Sequence, residues 1–153
     1  MLEKNTQAPN ILLSNQDNEM IDISKIHKKK CIFFYPKSFT PGCTIQVCSM
    51  QNSLQKFIDL GVEVFAISGD SVEKIKKFTV KYGIDYNILS DLDFAICKQY
   101  EVFKEKKIFG KVFRGIERSS FLLDANNNLL ETFLKVSPLN HTEKVLTYFL
   151  NHQ

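Results

Sequence analysis

The sequence predicts an α/β fold with one layered mixed β-sheet flanked by helices, and three observations predict it. Two continuous apolar runs rich in β-formers, "KCIFFY" (30–35) and "VEVFAIS" (62–68), have the character of strands buried on both faces. Segments with apolar residues at helical intervals lie between such runs, the alternation that layers helices on a sheet. No repeat, low-complexity linker or composition break interrupts the 153 residues, so 1–153 reads as one domain.

The elements follow in order. "NILL" and "MIDI" flank the turn-rich "SNQDNE" and predict an N-terminal β-hairpin. After "KCIFFY" comes a loop, "PKSFTPG". From Cys43 the pattern becomes helical: Val47, Met50, Leu54, Phe57 and Ile58 share a face, and Gly61 supplies the stop. "VEVFAIS" is the next strand. "GDS" opens the helix "VEKIKKFTVKY", which ends at Gly83. "YNILSD" reads as a short strand and "FAICKQY" as a short helix. "RSSFLLD" and "LLETFL" around "ANNN" predict a second hairpin. Asn140 with Glu143 forms the pattern of a capping box for the last helix, "HTEKVLTYFL".

Composition narrows the function classes. Hydrophobic content of 44% and charged content of 24% are globular values. No 18-residue apolar run exists, so no spanning segment and no membrane partner are expected. "MLEKNTQAPNILL" lacks the basic flank and apolar core of a secretion signal, and a cytoplasmic, reducing setting is expected. A net charge of +3 is too small to argue for nucleic acid. "HKKK" (27–30) reads as a solvated turn. Four cysteines, at 31, 43, 48 and 97, are too few for a disulfide scaffold, which places the chemistry in one pair.

That pair lies in "FYPKSFTPGCTIQVC" (34–48). Pro41 and Gly42 form the turn before the helix, and Cys43 falls in its first turn. Unpaired amides and the positive end of the helix dipole face such a position and stabilise a thiolate. Thr40, three residues earlier, carries a hydroxyl that both donates and accepts, suited to holding an attacking oxygen against sulfur. Pro36 ends the strand and stiffens the loop. Residues 43 and 48 on one intact helix have Cα atoms roughly 8.7 Å apart, whereas a disulfide needs about 4.4–6.8 Å. Either the two thiols never join, or the first turn and a half of the helix unwinds.

Together these residues resemble the peroxiredoxins, specifically the bacterioferritin-comigratory-protein or PrxQ group. "APNILLSNQDNEMIDIS", "GVEVFAISGDSVEKIKKFTVKYGIDYNILSD", "KIFGKVFRGIERSSFLLD" and "HTEKVL" follow in family order, and the core is Pro36, Thr40 and Cys43. The resemblance implies a thioredoxin-like fold and thiol-dependent reduction of hydrogen peroxide and organic hydroperoxides. It implies Cys43 as the peroxidatic cysteine, oxidised to a sulfenic acid, and Cys48 as the resolving one through an intramolecular disulfide. It also implies recycling by thioredoxin or a similar dithiol protein, a monomer, and no metal or organic cofactor. The family's active-site arginine corresponds to Arg118. The residues add their own support: the chain has 18 lysines and only two arginines, Arg114 and Arg118, so a guanidinium here stands out. Gln46 stands where the family often has an acidic residue, and Glu101 where glycine is common.

Cys31, inside a buried strand, reads as structural. Cys97, on the short helix, is the second candidate resolver. A general thiol–disulfide exchange module without peroxidase activity is the competing function, but it calls for a CxxC after the first core strand, and none is present. Metal binding by Cys43 and Cys48 with His27, His141 and His152 lacks any tight ligand spacing.

Overall fold

The computed structural model describes residues 2–153. Its main sheet has seven strands: β1 (Leu12–Ser14), β2 (Met20–Asp22), β3 (Lys29–Phe34), β4 (Val62–Ser68), β5 (Asn87–Ser90), β8 (Ser119–Leu123) and β9 (Leu129–Phe133). They lie in the order β2-β1-β5-β4-β3-β8-β9. β5, β4 and β3 run parallel; β8 is antiparallel to β3, β9 to β8 and β1 to β5. A separate two-stranded sheet joins β6 (Phe103–Ile108) to β7 (Lys111–Ile116). The helices are α1 (Pro41–Asn52), α2 (Leu54–Asp59), α3 (Val72–Tyr82), α4 (Ala95–Gln99) and α5 (His141–Asn151).

Period-2 alternation along β3 divides the core. Cys31, Phe33 and Tyr35 face a cluster with Val47, Met50, Phe57, Phe78, Val145 and Phe149, from α1, α2, α3 and α5. Ile32 and Phe34 face a second cluster with Ile11, Ile23, Ile96, Tyr100 and Phe121. Strands at the middle of the sheet are therefore covered on both sides, as their unbroken apolar sequence requires.

Both predicted hairpins form, β1–β2 and β8–β9. Three expectations are corrected, and two strands lie outside what the sequence predicts. The helix after the cysteine loop starts at Pro41, and it breaks at Ser53, so Val47 and Met50 lie on α1 whereas Leu54, Phe57 and Ile58 lie on α2. Asn140 precedes α5 but its side chain makes no capping hydrogen bond, because its backbone (φ −124°, ψ 4°) is not extended as a capping box requires. The "HKKK" run is not a solvated turn: Lys29 and Lys30 open β3, and Lys30 is fully buried, its Nζ donating to the Lys28 carbonyl at 2.8 Å. Burial pushes the Lys30 pKa down. Finally, β6 and β7 were not anticipated, because "FKEKKIFGKVFRGI" offers no apolar alternation to mark them.

Candidate active site

Register brings the site together. β3 ends at Phe34, paired with Ser119 at the start of antiparallel β8. The loop 35–40 therefore leaves the sheet where Arg118 enters it. The loop feeds α1, with Thr40 at the N-cap and Pro41 at the first helical position, where a missing N–H costs nothing. Cys43 is the third helical residue, and the first intrahelical bond runs from the Thr44 amide to the Thr40 carbonyl at 2.9 Å. Thr44 Oγ1 donates to the same carbonyl at 2.8 Å. The amides of Gly42 and Cys43 precede that bond and lie at the positive end of the helix dipole.

Cys43 is 1% exposed, on the same apolar stripe as Val47 and Met50. Arg118 Nη1 stands 3.6 Å from Cys43 Sγ and donates to Gln46 Oε1 at 2.6 Å. Gly42 permits this approach: a Cβ there would lie 3.3 Å from Arg118 Nη2 and 3.5 Å from Pro138 Cγ. The Arg118 carbonyl accepts from the Val136 amide at 2.9 Å, fixing the segment that carries Pro138. The guanidinium thus directs an N–H at the sulfur. Thr40 Oγ1 donates to the Lys37 carbonyl at 2.7 Å, so the lone pairs of its oxygen point away from that bond. Pro36 is half-buried and follows Tyr35, whose amide donates to the Ile67 carbonyl at 3.0 Å.

Several supporting residues escaped the sequence reading. Asp70, read only as a helix opener, accepts from the Ser38 amide at 2.8 Å and from Ser68 Oγ at 2.9 Å, and pairs with Lys74 at 3.2 Å. Burial pushes the Asp70 carboxyl up, but those bonds outweigh it and hold its pKa below the usual value. Tyr35 hydroxyl and Ser38 Oγ share a bond of 2.8 Å, so the loop before Cys43 is pinned from two sides. Phe39 takes a left-handed backbone (φ +70°), costly for an aromatic residue, and its ring meets Phe78 edge-on at 5.1 Å. His141 is fully buried, bonded through Nε2 to Ser120 Oγ, with Phe33 5.0 Å from its ring. Burial, with Arg118 and Lys144 nearby, brings its pKa down to about 3.

The remaining cysteines separate. All four are free thiols. Cys48 also lies on α1, half-buried, and burial pushes its pKa up. Cys31 is fully buried in β3 and Cys97 in α4, and burial raises both far above the ordinary thiol value. Cys97 faces the opposite cluster from Cys43, and its amide donates to the buried Asp91 carboxylate at 2.8 Å. Arg114 sits exposed on β7, paired with Glu105 at 3.1 Å, remote in role from its neighbour Arg118.

A mixed sheet flanked by helices, with a buried cysteine beside a guanidinium in the first turn after its first βα loop, is the arrangement of a thiol peroxidase on a thioredoxin-like fold. Comparison with known proteins agrees. Residues 5–132 match the AhpC/TSA family. Peroxiredoxin Bcp of Escherichia coli K12 is 36% identical over 146 residues, covering 95% of this chain and 94% of that protein. Peroxiredoxin Bcp of Bacillus subtilis is 34% identical over 95% of this chain and 93% of its own length. The bacterioferritin comigratory protein of Xanthomonas campestris, solved in connection with its alkyl peroxide reduction, superposes with a TM-score of 0.88 at 32% identity, covering 93% of this chain and 91% of that one. Xylella fastidiosa PrxQ superposes at 0.93 with 27% identity, covering 99% and 98%. The chain belongs to the AhpC/TSA family, among the Bcp peroxiredoxins, and is an enzyme of the thiol-peroxidase class.

Proposed function

We propose that the chain, as one domain over 1–153, reduces hydrogen peroxide and organic hydroperoxides with Cys43 as the peroxidatic residue. The observation that carries this reading is Arg118 Nη1 at 3.6 Å from a Cys43 sulfur in the first turn of a helix. In the reaction, Cys43 thiolate attacks one peroxide oxygen. An S–O bond forms, the O–O bond breaks, and the departing oxygen takes up a proton to leave as water or alcohol. Cys43 is oxidised by two electrons to a sulfenic acid. Thr40 Oγ1, Arg118 and the amides at the helix start hold the two oxygens as charge passes between them, and Pro36 shelters the loop from water.

Cys48 then condenses with the sulfenic acid, forming a disulfide and releasing water. Both residues lie on α1, so closure requires its first turn and a half to uncoil. The helix is suited to this. Its first turn has neither a side-chain cap nor an acidic residue. Its far end is anchored: Gln51 Nε2 donates to Asp85 Oδ2, and the Asp85 amide donates to Gln51 Oε1, both at 2.8 Å. A dithiol protein of the thioredoxin kind reduces the disulfide by exchange. The reading takes a reducing cytoplasm as the setting and a monomer as the working unit.

The test is peroxide consumption with and without thioredoxin for the unaltered chain and two variants. Cys43→Ser is expected to lose turnover entirely. Cys48→Ser is expected to complete one turnover and then stall with thioredoxin. Full turnover by Cys43→Ser overturns the assignment, and mass mapping that links Cys43 to Cys97 overturns the role given to Cys48.

A further inference from the structure

Only the base of the β6–β7 hairpin, Phe103 and Ile116, reaches the core; the rest serves neither core nor site, and its composition is unusual. Between Phe103 and Ile116 it carries five basic side chains, Lys104, Lys106, Lys107, Lys111 and Arg114, against one acid, Glu105. That surplus of four compares with +3 for the whole chain, so the rest of the molecule is near neutral. At its end stand Ile108, Val112 and Phe113, each at least half exposed, and Phe109, completely exposed. Phe109 and Gly110 both have positive φ (+51° and +77°), the two-residue turn that ordinarily takes Asn-Gly. A phenylalanine there is strained and solvated at once, with no packing in return.

We propose that this hairpin end docks on an anionic lipid surface, with Phe109 and Ile108 entering the interfacial region and the lysines meeting headgroup phosphates. The register argues for a plane rather than a shaped partner. Lys107 and Arg114 lie on one face of the ribbon with Glu105, which pairs with Arg114, and Lys104, Lys106 and Lys111 lie on the other, so a net positive charge remains on both sides of the apolar end. A charged plane met end-on engages both faces at once. A second copy of the chain is disfavoured, because a symmetric contact brings two surpluses of like charge together. Basic residues near such a surface, combined with a few apolar side chains, give reversible surface binding without a spanning segment. The expectation of no membrane partner rested on the lack of a spanning run, which leaves surface contact open.

The chain has no tryptophan, which makes the test specific. Phe109→Trp provides a single fluorescent reporter at the hairpin end. With vesicles of 70% phosphatidylcholine and 30% phosphatidylglycerol in low salt, its emission is expected to shift to the blue. The shift should be absent with pure phosphatidylcholine and should reverse in high salt. Lys→Gln at 106, 107 or 111 is expected to loosen binding by about fivefold each. Phe109→Ser should weaken co-sedimentation while leaving peroxide turnover in solution unchanged. An unmoved emission overturns the proposal, whether the protein fails to sediment or sediments by another surface. Salt-sensitive capture by an acidic protein with no vesicle binding overturns it equally.

Discussion

Arg118 uses one nitrogen for two neighbours, the Cys43 sulfur at 3.6 Å and the Gln46 carbonyl oxygen at 2.6 Å. Gln46 orients the guanidinium without cancelling its charge, whereas a carboxylate at that position would pair with it. Arg118→Gln is expected to lower kcat/KM for peroxide by on the order of a hundredfold, the size of effect seen when one donor to a developing anion is removed; steady-state rates check this. Arg114→Gln should leave kcat/KM within about twofold, since an exposed ion pair contributes little. At this scale the sequence was legible where a residue type is rare. Two arginines among 18 lysines drew notice, and one of them meets the sulfur. Gln46, Asp70 and His141 were illegible because their effect depends on partners distant in sequence, such as Asp70 on Ser38 and His141 on Ser120. Glu101 has φ +60°, a left-handed backbone that glycine adopts without steric cost.

Helix α1 is held unevenly, and its elements respond accordingly. Tyr86 hydroxyl donates to the Val47 carbonyl at 2.8 Å, inside the segment between the two cysteines. Tyr86→Phe removes that bond, worth about 1 kcal/mol. Disulfide closure after a peroxide pulse is expected to quicken by roughly fivefold, read by rapid quench and thiol alkylation. An unchanged closure rate would mean that uncoiling does not limit it. Strands β3 and β4 were readable because both their faces are buried, which leaves unbroken apolar runs. The break at Ser53 was not: its apolar residues continue at helical spacing across it, and only the tertiary path of the chain separates α1 from α2. The β6–β7 ribbon was unreadable for the opposite reason, since it buries almost nothing between its ends.

Across the molecule, buried titratable groups set the acid limit. His141 has its pKa near 3 in the folded chain against 6.5 when free, so below about pH 6.5 the unfolded chain takes up a proton that the native state refuses. Stability from this residue is complete above that pH and is lost as pH falls toward 3. The loss amounts to about 2 kcal/mol by pH 5. Urea unfolding at pH 7 and pH 5 should show this drop, and His141→Asn should reduce it. Asp70, with its pKa held low, adds a further loss only below about pH 4. Both residues brace the same end of the sheet that carries the loop before Cys43, so acid should slacken that end before the rest.

The 1% exposure of Cys43 sorts reagents by girth. A slim oxidant can slip in beside the guanidinium, while a bulky aromatic disulfide or maleimide must wait for the coil to spring open. The ratio of the two reaction speeds is therefore a stopwatch for that opening, readable in an ordinary spectrophotometer on the Cys48→Ser enzyme, which lacks the half-buried thiol that would react first.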